Sequence, residues 1–98
     1  MEHKIPTPEI GSVIKITLEG WKKTIECRVK ARTWSDQSNE YILTLDSPEV
    51  FTAYTQDSLV HPVQRADIHL SEQIILKRYE VNHLGKCHIV ITPCTILR

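Results

Sequence analysis

Thr24-Ile25-Glu26-Cys27-Arg28-Val29-Lys30-Ala31-Arg32-Thr33-Trp34 alternates between apolar and polar residues along nearly its whole length. In an extended chain successive side chains point to opposite faces. Ile25, Cys27, Val29 and Ala31 therefore share one face, and Glu26, Arg28, Lys30, Arg32 and Trp34 share the other. A period of two marks a strand with one buried side.

The flanks extend this pattern into a meander. Upstream, Ile14, Ile16 and Leu18 alternate with Val13, Lys15, Thr17 and Glu19, and Gly20 supplies a turn. Downstream, the polar run Ser35 to Asn39 suits a hairpin loop, after which Tyr41, Leu43 and Leu45 resume the apolar face. Three hairpin-linked antiparallel strands are expected from about Ser12 to Asp46.

The C-terminal third predicts another hairpin, from about Ile74 to Val81 and from Cys87 to Thr92. A loop over Asn82 to Lys86 sets Val81 opposite Cys87, Tyr79 opposite Ile89 and Lys77 opposite Ile91, with that face expected in the core and filled in part by Cys87. The second face then carries Ile74, Leu76, Arg78 and Val90. It is expected to be covered by the middle segment or by a second subunit, and Glu80 falls beside His88 on it. Between the two hairpins, Asp46-Ser47-Pro48-Glu49 resembles a helix start, so a short helix or turn is expected there. Pro62 limits regular structure before Asp67. Ile68 to Tyr79 reads as extended, with a break near Ser71 and Glu72.

The expected fold is mainly β: a small antiparallel barrel or twisted sheet, SH3-like or OB-like in architecture, with five to six strands and at most one short helix. Ninety-eight residues suit one domain, which buries about 65% of its extended surface on folding. Residues 1–11, with Pro6 and Pro8, are expected as a flexible tail and residues 12–98 as the domain. Met1 is expected to begin the mature protein. No apolar run is long enough for a membrane helix or a secretory signal. Cys94 is not expected to form a prenylation box, because Arg98 displaces it. Three cysteines without a Cys-x-x-Cys pair suit free thiols, so a soluble cytoplasmic protein is expected.

Formal charge is zero, which argues against broad coating of nucleic acid. Its distribution is uneven: residues 46–72 hold one Lys/Arg against five Asp/Glu, and residues 73–98 hold four against one. The sharpest candidate surface is the row Arg28, Lys30, Arg32 and Trp34, with Lys15, Trp21, Lys22 and Lys23 on the preceding hairpin. Alternate residues project about 7 Å apart, close to phosphate spacing, and an aromatic ring beside guanidinium groups can stack a base. The expectation is a non-enzymatic module binding a nucleotide, a nucleic acid or an acidic protein surface. The alternative is an interaction or inhibitor module, working as a homo-oligomer through Ile74, Leu76, Arg78 and Val90.

No cofactor or metal is expected. His83, Cys87, His88 and Cys94, or Asp57, His61, Asp67 and His69, lack structural-zinc spacing. There is no Gly-rich phosphate loop and no signature of a Cys-His nucleophile.

Overall fold

The structure, a computed structural model, describes residues 7–54 and 61–97. It is mainly β, as expected: β1 (Val13–Leu18), β2 (Thr24–Ser35), β3 (Glu40–Asp46), α1 (Glu49–Tyr54), β4 (Val63–Leu70), β5 (Ile75–Val81) and β6 (Cys87–Leu97) follow in that order. Each strand pairs antiparallel with the next, and β6 returns to β1, closing the sheet into a barrel. The order is up-and-down, whereas an OB-fold is a five-stranded Greek-key barrel. Of the expected N-terminal tail, residues 1–6 lie outside the described residues. Gly11 continues the line of β1, its amide donating to the carbonyl of Val29 at 2.8 Å.

Closure depends on stagger. β2 pairs with β1 from Thr24 to Arg28 and with β3 from Arg28 to Ser35. β6 pairs with β5 from Cys87 to Pro93 and with β1 from Cys94 to Leu97. Offsetting partners along the two longest strands in this way tilts the strands about the barrel, and tilt is what lets a small sheet close. Inward positions then fill the interior: Ile16, Ile25, Val29, Leu43, Ile68 and Leu76 are all essentially without exposure. Each such side chain contributes about 1.5–3 kcal/mol by leaving water.

The C-terminal hairpin has the expected register, with Val81, Tyr79 and Lys77 opposite Cys87, Ile89 and Ile91. Its faces are reversed from the expectation. Leu76 and Arg78 are buried inside the barrel, Ile74 and Val90 are half-buried, and Cys87, Ile89 and Ile91 are exposed. The neighbour decides this. Both faces of β5 carry apolar residues, so its own pattern does not choose, but Ile68 and Ala66 of β4 oppose Leu76 and Arg78 and are fully buried. The face that meets them turns inward.

The helix between β3 and β4 falls where Pro48 and Glu49 indicated. Asp46 accepts the amide of Ser47 at 3.0 Å, and Ser47 takes a left-handed φ of 56°. The first helical bonds run from Val50 to the Ser47 carbonyl and from Phe51 to that of Pro48. Six residues are too few for a stable isolated helix. Burial of Phe51, which has no exposure, anchors it in the core, and Thr52 accepts the amide of Val63 at 2.9 Å. Phe51→Ala is expected to lower unfolding free energy by about 3–5 kcal/mol, measured by urea denaturation; a loss under 1 kcal/mol would show that the helix is not part of the cooperative core.

Candidate functional site

The basic row of β2 is not one row. Opposite β3, Val29 pairs with Leu45, but the next pair is Ala31 with Thr44, leaving Lys30 as an extra residue in a bulge. A bulge of this kind shifts the alternation by one. Arg28 therefore points outward beside Asp46. Arg32 and Trp34 oppose Leu43 and Tyr41 and share the face that lines the core further along the strand. Directly opposite residues occupy the same face of a sheet.

Beyond the end of the core this inner face opens to solvent and forms an aromatic lip. Trp34 and Tyr41, 46% and 39% exposed, meet edge to face with ring centroids 5.0 Å apart. The Arg32 guanidinium lies 5.8 Å from the centroid of the Tyr41 ring, within range of a cation–π attraction. Leu70 opposes Tyr41 from β4 and is buried, so the lip is rooted in the core. Trp34 Nε1 donates to Asp36 Oδ1 at 2.8 Å, which fixes the indole while the ring stays partly open to solvent. The alternation of the sequence places Tyr41 in the core and not in the expected site. The signal for it lay in the hairpin loop, which sets Trp34 against Tyr41.

The other expected residues lie elsewhere. Lys15 and Arg28 stand on the outer wall, where Lys15 opposes Glu26 and Arg28 donates to the Gly11 carbonyl at 2.8 Å. Lys30 is exposed at the bulge. Trp21 follows β1 at the far end of β2; its ring lies under the Arg78 guanidinium at 5.3 Å. From Thr24 to Trp34 the strand spans on the order of 33 Å, so Trp21 does not join the lip. Arg78 in turn contacts Glu80 at 3.3 Å, while His88 accepts from Asn82 at 3.1 Å. Glu80 and His88 thus have separate partners.

A second polar cluster sits on the outer face of β3 and β4. His69 Nδ1 donates to Glu40 Oε2 at 2.9 Å, and both residues are buried. Nothing in the spacing of Glu40 and His69 announces the pair, because only the β3–β4 register brings them together. Burial alone would raise the Glu40 pKa, but hydrogen bonds from His69 and Ser38 and the nearby charges of His69 and Lys77 outweigh it and hold the carboxyl below its ordinary value. His69 Nε2 is buried without a hydrogen-bond partner among the described residues, so no nucleophile is joined to this dyad there. Of the two drawn metal sets, His61 and His88, one from each, stack at 5.9 Å. Asp57 lies outside the described residues, among which no three His, Cys, Asp or Glu side chains gather. Burial pushes the Cys27 thiol up to about 12 and the Cys94 thiol up to about 11, so neither is a thiolate at neutral pH.

A carboxyl with a depressed pKa stabilises the fold above its unfolded value, here 4.5, and loses that contribution as pH falls through the folded value. Glu40→Gln is accordingly expected to destabilise the protein at pH 7, with the gap to wild type closing below about pH 4.5. Urea denaturation from pH 7 to pH 3 measures it, and a gap that persists unchanged at the acid end contradicts it. No protein-family model, no curated protein and no solved structure matches the chain.

Proposed function

We propose that the chain is a non-enzymatic binding module that takes a phosphate-bearing ligand, a nucleotide or a single strand of nucleic acid, on the lip of Arg32, Trp34 and Tyr41. One observation carries this: two aromatic rings and a guanidinium share one solvent-open face, held by cross-strand pairing of Trp34 with Tyr41. Every nucleobase has a face that stacks on an aromatic ring, and a guanidinium pairs with phosphate oxygens through a planar fork. An acidic protein surface would engage Arg32 but leave the exposed rings without a role. Lys30, exposed at the bulge, is the next cation along the strand for a phosphate tail.

Zero net charge favours a defined ligand over indiscriminate coating. No helix among the described residues is long and apolar enough to cross a membrane. The proposed setting is the cytoplasm, in keeping with three free thiols.

Fluorescence anisotropy of a labelled oligothymidine, with competition by ATP, tests the proposal. Trp34→Ala is expected to weaken binding about fivefold to a hundredfold, and Arg32→Glu to weaken it as well. Arg28→Glu, on the outer wall, should leave it nearly unchanged. Absence of binding to both probes, or equal affinity in Trp34→Ala with an unchanged melting temperature, overturns the assignment.

A further inference from the structure

Among the described residues, β6 carries an edge that the barrel leaves unused. On one side it pairs with β5 from Cys87 to Pro93; on the other, β1 joins only from Cys94, after a last bond from the Glu19 amide to the Pro93 carbonyl at 2.9 Å. Among the described residues, no strand flanks the second edge of residues 87–92. Exposed edges usually carry a defence against pairing, such as Lys, Pro, a bulge or a buried charge. Cys87-His88-Ile89-Val90-Ile91-Thr92 holds no Lys, Arg, Asp, Glu or Pro, and its ladder with β5 runs without a bulge. Ile89 and Ile91 stand 57% and 56% exposed on its outer face.

We infer that this edge pairs antiparallel with the same edge of a second copy of the chain, about a twofold axis at Val90. The inference stands apart from the ligand surface, which lies on β2 and β3. Symmetry selects the occupant. An edge paired antiparallel with itself makes an isologous, closed contact. With Val90 opposite Val90, every position from His88 to Thr92 meets another position of the same free edge. Opposed residues share a face, so Ile89 of each copy lies beside Ile91 of the other. The four isoleucines form one continuous outer strip.

Charge agrees with this occupant. Glu19 is exposed at the Pro93 end of the free edge, and Lys86 is exposed at the Cys87 end. The twofold axis brings Lys86 of each copy toward Glu19 of its partner, giving two opposite-charge contacts, and no charged residue within the edge opposes another. Register is limited as well, because β1 occupies the edge from Cys94 onward and an incoming strand cannot slide past it.

Sedimentation equilibrium of the full chain over a micromolar to high-micromolar range tests the inference. Wild type is expected to show a concentration-dependent dimer. Ile89→Lys combined with Ile91→Lys should abolish it while circular dichroism still reports a folded β protein. Glu19→Lys or Lys86→Glu alone should weaken the dimer about three- to tenfold, and the two together should restore it. A wild type that stays monomeric overturns the inference, as does a dimer indifferent to the lysines at 89 and 91 or a double charge reversal no better than the single ones.

Discussion

Between Val29 and Ala31 the ladder joining β2 to β3 slips by one residue, and Lys30 is left without a partner across it. Much of the surface chemistry follows from that slip. Before it, Ile25, Cys27 and Val29 face the core and Arg28 faces out. After it, Arg32 and Trp34 take the inner side, where Leu43 and Tyr41 already stand. A bulge also sharpens local twist and bend, which helps one twelve-residue strand serve β1 with its first half and β3 with its second. The same extra residue thus aids closure of the barrel and places the aromatic lip at its end.

Among the described residues, the buried charged side chains of this small fold are arranged in pairs. Asp67, 2% exposed, meets Arg65 at 3.0 Å, and Arg65 lies 5.6 Å from the Tyr79 ring centroid. Glu40 and His69 pair on the same outer face, while Arg78 and Glu80 pair on the inner face with the guanidinium over the Trp21 ring. Two well-packed apolar side chains often stabilise as much as a buried ion pair, but removing one partner leaves the other desolvated and uncompensated. Such pairs therefore constrain register strongly. A slip of β4 against β3 would part His69 from Glu40 and turn Asp67 into the interior.

Much of the fold was legible in the residues. The alternation of Ile14, Ile16 and Leu18, and of Ile25, Cys27 and Val29, located β1 and β2 because each of those stretches buries one face only. The hairpin register of Tyr79 with Ile89 follows from the loop length and from the near coincidence of the apolar faces that it gives. Which face of that hairpin points inward did not follow, since Leu76 and Ile89 are equally apolar and only Ile68 and Ala66 across the ladder decide. The candidate site was half legible. Arg32 and Trp34 stand out by composition, but an unbroken alternation through Lys30 puts Arg28 in one row with them. Lys15 joins that row only as a neighbour on the preceding hairpin, while the alternation after Asn39 puts Tyr41 in the core. A bulge without glycine has no local marker in this stretch, because both Lys30 and Ala31 fit a regular strand.

Nuclear Overhauser contacts across β2 and β3 in the free protein examine the slip directly. Past Val29, contacts are expected between Ala31 and Thr44, between Arg32 and Leu43, and between the Trp34 indole and the Tyr41 ring. Contacts of Lys30 with Thr44 and of Thr33 with Tyr41 would show an uninterrupted ladder instead. In that case Arg28, Lys30, Arg32 and Trp34 would form a single outer row and the lip would not exist.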